Sequence, residues 1–148
     1  MAFGEPDSEH YIGEIAYTPI TSTSPASHYV GIDASLSYGN QSILALTAGI
    51  VDSGTTLLLL STDAFNKYLA STGAKVDKTT GLPSVTDNQY GEMEKLIVSV
   101  GEATYELVPD AQRWPTGLNT DIGGDSSSIY SGGQRNLNTM VPVYWRPQ

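Results

Sequence analysis

Short runs of alternating apolar and polar residues, separated by turn residues, dominate the chain and are typical of a β-rich protein. This alternation predicts strands at residues 11–20, 28–36, 42–46, 96–100 and 104–108. After the second of these, Tyr38-Gly39-Asn40-Gln41 is the strongest hairpin signal, because Gly and Asn favour a tight turn. Gly101-Glu102 predicts a second hairpin, between the last two strands.

Two segments have helical patterning instead. The first has apolar residues at i, i+3 and i+4, namely Phe65, Tyr68 and Leu69. A capping residue, Ser61 or Thr62, precedes them, and Gly73 is predicted to end the helix. The second begins at Thr86-Asp87 and predicts one or two short helical turns. No internal repeat is present in the sequence. The fold class that follows is all-β, or β-dominated with two or three short helices.

One acid, Asp52, interrupts the most apolar part of the chain, where Val51 precedes it and four leucines follow at 57–60. Both apolar runs are predicted to be short buried strands. An ionised carboxylate between buried strands is costly unless hydrogen-bond donors satisfy it. Gly54 lets the backbone turn tightly beside the carboxylate. The next three residues can supply the donors, through the Ser53 hydroxyl, the Gly54 backbone N–H and the Thr55 hydroxyl.

Composition narrows the possible functions. The chain has 148 residues, enough for one domain or one lobe of a larger protein, and its formal charge is −9. This charge argues against nucleic acid and anionic membrane surfaces as partners, because both are bound by clustered Lys and Arg. The absence of cysteine excludes disulfides, and no apolar run is long enough to cross a membrane. The first residues do not have the pattern of a signal peptide.

Two further motifs are open to a chemical interpretation. Asn40-Gln41-Ser42 is an N-glycosylation sequon within the predicted hairpin turn, although such tripeptides often arise by chance. Asp121 and Asp125 flank two glycines but lack the spacing and terminal Glu of an EF-hand, which favours a loop over a calcium site. We therefore predict neither a cofactor nor a metal site.

The order of several segments resembles the C-terminal lobe of pepsin-like aspartic peptidases, in particular the secreted fungal branch. The similarity extends from about residue 9 to residue 130 and divides the chain into a mobile lead-in (1–10), a pepsin-like lobe (11–130) and an unmatched tail (131–148). The matching segments are Tyr17-Thr18-Pro19-Ile20, Tyr29-Val30-Gly31-Ile32-Asp33, the Asp52 loop from Gly49 to Thr56, the capped helix after it, and residues 97–107.

The resemblance implies a two-lobed β fold in which each lobe supplies one catalytic Asp, and the two acids activate a water that attacks a peptide carbonyl. Asp52 matches the acid of the C-terminal lobe, with Ser53, Gly54 and Thr55 as supporting residues. The chain has only one Asp-Ser/Thr-Gly, and we find neither an N-terminal lobe nor the family's strand that crosses behind the catalytic loop. The expectation is therefore an incomplete lobe that is inactive or weak when isolated.

Two functions stay open at this point. The first is an acid endopeptidase lineage acting on a peptide or protein substrate, and the second is a non-catalytic secreted protein that binds an unknown protein partner. A homodimer that pairs two Asp52 loops is a further alternative, whereas nucleic acid and membrane partners are not expected. Residues 140–145 are expected to replace part of the missing strand, or two chains associate. The resemblance also implies an extracellular location.

Overall fold

The computed structural model describes Glu9, residues 13–55 and 57–123, and the backbone of residues 134–136 and 142–143. Within these ranges it contains short strands and two α-helices, α1 (Thr62–Thr72) and α2 (Asp87–Gly91). Short 3₁₀ turns occur at Ala26–His28, Pro109–Gln112 and Thr116–Ile122. The strands are β1 (Gly31–Tyr38), β2 (Gln41–Ile50), β3 (Leu60–Ser61), β4 (Lys75–Val76), β5 (Pro83–Thr86), β6 (Leu96–Val100), β7 (Ala103–Leu107), β8 (Gln134–Asn136) and β9 (Pro142–Val143).

The main layer is a four-stranded antiparallel sheet with the strand order β2-β1-β6-β7. β1 and β2 form a hairpin in which Tyr38 pairs with Gln41, so Gly39 and Asn40 make the turn. Gly39 has a φ of 52°, a left-handed conformation that glycine adopts without strain. β6 and β7 form the second hairpin, with Val100 paired to Ala103. Both hairpins that the sequence predicts are therefore confirmed.

Helix α1 follows the sequence signals closely. Its N-cap is Ser61, whose hydroxyl accepts a hydrogen bond from the Ala64 N–H at 3.5 Å. Gly73 ends the helix with a φ of 68°, the left-handed conformation that commonly terminates helices. Helix α2 is also capped, because Thr86 and Gln89 exchange the two hydrogen bonds of a capping box. Both helices lie where the capping residues predict them.

The core forms where α1 packs against β2 and β3. Tyr68 of α1 and Tyr38 of β1 meet there edge to face, with ring centroids 5.6 Å apart at an interplanar angle of 84°. Such aromatic contacts add to the free energy that apolar burial supplies. The buried members of this cluster are Leu36, Tyr38, Ile43, Leu60, Ala64, Phe65, Tyr68, Ala74, Val85, Met93 and Leu96.

A buried polar network joins α1 to the segment after β7. Gln112 is fully buried, and its amide oxygen accepts a hydrogen bond from the Tyr68 hydroxyl at 2.9 Å. Its amide nitrogen donates to the backbone carbonyls of Glu94 and Leu107, at 2.9 Å and 2.8 Å. The one side chain therefore ties α1, the segment before β6 and the end of β7 together.

The strand predicted at 11–20 is wrong for the part of it that the structure describes. Residues 13–20 form no strand, and Ile15, Tyr17 and Ile20 are exposed. The alternating pattern is real, but no neighbouring strand among the described residues satisfies its backbone or covers its apolar face. The next predicted strand, 28–36, begins later, at Gly31, because the 3₁₀ turn Ala26–His28 occupies the preceding positions.

We expect Tyr38 to make the stability of the protein pH-dependent on the alkaline side. The pKa of Tyr38 is raised, chiefly because burial disfavours the charged phenolate. The Glu94 N–H donates to the hydroxyl at 2.8 Å and lowers the pKa, whereas the negative charge of the Glu94 carboxylate raises it further. The folded state thus binds this proton more tightly than the unfolded state. The stabilisation is complete below the unfolded pKa of about 10 and is lost as pH rises through the folded pKa.

Urea unfolding from roughly pH 8 to 11 measures this effect in the parent and in Tyr38→Phe. Above about pH 10 the parent loses stability more steeply than the variant, which has no phenol to ionise at this position. Tyr105→Phe is the control, because Tyr105 is 52% exposed. Parallel pH profiles for the parent and Tyr38→Phe would contradict the prediction.

Candidate catalytic loop

Asp52 lies just beyond the end of β2, at the start of a turn. β2 ends at Ile50, and Ser53 and Gly54 form the turn. The Gly54 N–H donates to Oδ1 of Asp52 at 2.9 Å. A Cβ atom on residue 54 would lie 3.2 Å from the same oxygen, so the absence of a side chain at Gly54 allows this close approach. The sequence therefore builds a loop that orients one carboxylate through a backbone donor.

The two hydroxyl groups expected to support the carboxylate do not contact it in the described structure. Ser53 and Thr55 are exposed, and within the described ranges the one hydrogen bond received by the Asp52 carboxylate comes from Gly54. Thr56 lies outside the described residues. The assignment of Asp52 as catalytic, with Ser53, Gly54 and Thr55 as supports, stays a prediction.

The apolar residues around the loop are less buried than the sequence suggests. Val51 is 57% exposed and belongs to no strand, and Asp52 is also exposed. Of the four leucines, Leu57 and Leu58 are half-buried, Leu59 is exposed, and only Leu60 lies both in a strand and in the core. The prediction of two buried strands is therefore wrong except at Leu60, which lies in β3 and is 3% exposed.

An apolar rim lies directly beside the Asp52 loop. It consists of Tyr29, Val30, Ile50 and Val51, each more than half exposed. The Val51 N–H donates to the Val30 carbonyl at 2.9 Å, and Ile50 pairs with Gly31, so the two segments lie side by side. The sequence does not predict this rim, because an apolar run does not show whether another segment of the protein covers it.

The strand after the loop has a partner from the C-terminal part of the chain. β3 pairs in parallel with β9, with Leu60 opposite Pro142 and Ser61 opposite Val143. This pairing places part of the 140–145 segment beside the last of the four leucines, where the sequence analysis expected a substitute strand. Residues 140, 141, 144 and 145 lie outside the described residues.

Other candidate residues have structural roles in the described chain. Asp33 lies in β1 and accepts a hydrogen bond from the Thr21 hydroxyl at 2.8 Å. Asp63 lies in the first turn of α1, where the helix dipole favours an acid. Across the described ranges, no three His, Asp or Glu side chains converge as metal ligands; Asp125 falls outside those ranges. Within the same ranges, no helix is long and apolar enough to span a membrane.

The fold and the loop place the chain in a known class. The family model for eukaryotic aspartyl proteases matches residues 1–142. The chain therefore belongs to the eukaryotic aspartyl protease family. The mostly antiparallel strands and the two α-helices of the described residues, with the one Asp-Ser-Gly of the sequence, agree with the pepsin-like fold.

Two individual relatives of this chain are fungal proteins. The chain is 53% identical to polyporopepsin from Irpex lacteus over 131 residues, which cover 88% of this chain and 38% of that protein. It is 30% identical to rhizopuspepsin-1 from Rhizopus niveus over 123 residues, 82% of this chain and 30% of that protein.

A solved structure of a fungal aspartic proteinase is also similar to this chain. The crystal structure of the aspartic proteinase from Irpex lacteus superposes with a TM-score of 0.86 at 50% identity, covering 93% of this chain and 39% of that one. The chain thus spans less than two fifths of the length of each of these three proteins.

Proposed function

We propose that this chain supplies one carboxylate, Asp52, of a pair that activates water for peptide hydrolysis at acid pH. The observation that carries the proposal is the loop itself. A single exposed carboxylate is fixed by the Gly54 N–H at 2.9 Å, at the end of a strand, in a chain of the aspartyl protease family. The second carboxylate comes from another acid-bearing lobe or from a second copy of this chain.

The chemistry requires two acids. Two carboxylates held close together cannot both ionise at low cost, so one keeps a proton and acts as the acid while the other acts as the base. Asp52 alone can accept a proton from water, but among the described residues no second acid is hydrogen-bonded to it that could protonate the leaving amine. Sharing one proton across a pair supplies both roles and sets the working range at acid pH.

The apolar rim is the surface on which the second acid-bearing unit docks. Tyr29, Val30, Ile50 and Val51 are uncharged, adjacent to Asp52 and exposed in this chain. Covering them removes apolar area from water and lowers the dielectric constant around the carboxylate pair. Exclusion of water at this position strengthens the electrostatic interactions on which the reaction depends.

The substrate class follows from the family. The chain belongs to the aspartyl proteases, and polyporopepsin and rhizopuspepsin-1 are among its fungal relatives. We infer that the assembled site cleaves peptide or protein substrates between apolar side chains. We also infer that the protein acts outside the cell, where an acidic medium suits a chain of formal charge −9.

The test is the activity of the purified chain as a function of its concentration. Haemoglobin hydrolysis at acid pH is measured with and without pepstatin, alongside the mass in solution by light scattering. If a second copy supplies the partner acid, activity per chain rises with concentration together with the dimer. If another lobe supplies it, the monomer is inactive. Pepstatin-sensitive hydrolysis by a monomer of this chain would overturn the proposal.

A second candidate function uses the same rim without hydrolysis. The exposed apolar rim beside Asp52 also suits a non-catalytic secreted protein that binds another protein through this face. Val51→Asp places a charge in the rim and leaves the Asp52 side chain in place. Loss of partner binding in Val51→Asp, together with unchanged binding in Asp52→Asn, would favour this function over peptide hydrolysis.

A further inference from the structure

Asn40 occupies the tip of the hairpin between β1 and β2 and is exposed. The structure shows no hydrogen bond from its side chain to any described residue. Asn40-Gln41-Ser42 is the single Asn-x-Ser/Thr sequence in the chain. Asn40 therefore meets the two structural requirements of a glycan attachment site, an accessible amide nitrogen and space around it, and Ser42, which completes the sequon, is also exposed.

The hairpin holds this sequon in a fixed position. Gln41 pairs with Tyr38, and Ser42 pairs with Ser37 across the two strands. The amide oxygen of Gln41 also accepts a hydrogen bond from the Ser71 hydroxyl of α1 at 3.0 Å. The middle residue of the sequon is thus hydrogen-bonded to α1, while the side chain of Asn40 has no hydrogen-bond partner within the described ranges.

An open groove of about 430 Å³ begins at this turn. Its lining combines Gly39 and Asn40 of the turn, the charged Glu94 and Lys95, and the apolar Met93, Ile97, Val108 and Pro109. Val108 is 45% exposed. The carbon-bound hydrogens of a sugar ring form a weakly apolar face that covers such a surface and removes apolar area from water.

We propose that Asn40 carries an N-linked glycan and that its first N-acetylglucosamine lies in this groove. In the transfer, the Asn40 side-chain nitrogen loses one proton and bonds to the anomeric carbon of a lipid-diphosphate-linked oligosaccharide. The bond between that carbon and the diphosphate oxygen breaks, and the lipid diphosphate leaves. This proposal rests on passage through the secretory pathway, which is part of the proposed function, but it does not depend on any peptidase activity.

The site is tested by secreting the full chain from yeast behind a host leader. The expected product carries one glycan per chain, and peptide-N-glycosidase F removes it and converts Asn40 to aspartate. Ser42→Thr keeps the sequon and the glycan, whereas Ser42→Ala loses it. A secreted parent chain with the mass of the bare polypeptide overturns the site. Because the readout is mass, this result is independent of whether Asp52 is catalytic.

The groove contact is tested by trimming the same preparation. Endoglycosidase H leaves one N-acetylglucosamine on Asn40, and we compare hydrogen exchange at residues 93–97 and at Val108 in three forms. The full and trimmed glycoproteins exchange equally slowly there, and Ser42→Ala exchanges faster. Equal exchange in all three forms overturns the contact.

Discussion

Asp52→Asn is expected to slow pepstatin-sensitive haemoglobin hydrolysis by the assembled, active species about 10²- to 10⁴-fold, the usual contribution of a positioned general acid or base. Asparagine cannot take up the proton of the attacking water, so the loss falls on kcat. In the parent the Gly54 N–H donates to Oδ1 of Asp52 at 2.9 Å, and the side-chain oxygen of asparagine can accept the same hydrogen bond, so the loop keeps its shape. KM is therefore expected to change little.

The chain offers a matched control for this substitution. Asp77 also accepts a backbone hydrogen bond from the second residue after it, because the Thr79 N–H donates to its carboxylate at 2.8 Å. Asp77→Asn removes the same unit of charge from the same kind of turn. Hydrolysis within about twofold of the parent for Asp77→Asn, with a large loss for Asp52→Asn, assigns the effect to the site. Equal losses in the two variants would refute the catalytic role.

Elements fixed by local chemistry could be predicted from the sequence. The hairpin at Gly39-Asn40 needs only a two-residue turn between alternating strands, and the turn length sets the register of the two pairs next to it, Tyr38 with Gln41 and Ser37 with Ser42. Helix α1 begins at the capping Ser61 and ends before Gly73, because both signals act within one helical turn. Such positions depend on neighbours in the chain and not on the rest of the fold.

Elements that depend on distant partners could not be predicted in this way. The apolar alternation at 11–20 is that of a strand, yet the described residues 13–20 pair with no other strand. Val51 has the composition of a buried strand residue and is 57% exposed. In both places the hydrophobic pattern indicates a covering surface that the described chain does not contain, since burial is decided by the partner and not by the sequence of one segment.

In the candidate site, too, the local features could be predicted and those that depend on distant segments could not. The Asp-Ser-Gly motif located Asp52, and the backbone bond from Gly54 is a local feature that the glycine predicts. The hydroxyl donors expected from Ser53 and Thr55 are not in place in the described structure. The apolar rim had no motif, because Tyr29 and Val51 come together only through the pairing of β1 and β2.

The second large effect is expected in the core, at Tyr68. Its side chain is 0% exposed, packs on Tyr38 and donates its hydroxyl hydrogen to Gln112. Tyr68→Ala removes the ring and leaves a cavity, which lowers the free energy of unfolding by about 3–5 kcal/mol. Since domains of this size are stable by about 5–15 kcal/mol, this loss is a large part of the total.

Tyr68→Phe separates the polar from the apolar contribution. The ring stays, but Gln112 loses this donor inside the core, and we expect a loss of about 1–3 kcal/mol. Tyr17→Ala is the control, because Tyr17 is 86% exposed and its removal is expected to cost less than about 0.5 kcal/mol. Urea unfolding of all three variants at neutral pH gives the free energies.

Comparing the unfolding free energies lost in Tyr68→Ala, Tyr68→Phe and Tyr17→Ala shows whether the hydrogen bond between Tyr68 and Gln112 helps to hold the helix on the sheet. Gln112 also donates to the carbonyls of Glu94 and Leu107, so a change at Tyr68 acts on the segment before β6 and on the end of β7 as well as on α1. If Tyr68→Phe is as stable as the parent, the hydroxyl contributes nothing and the network only fills space. If Tyr68→Ala does not fold at all, the measured loss in Tyr68→Phe still tests the hydrogen bond.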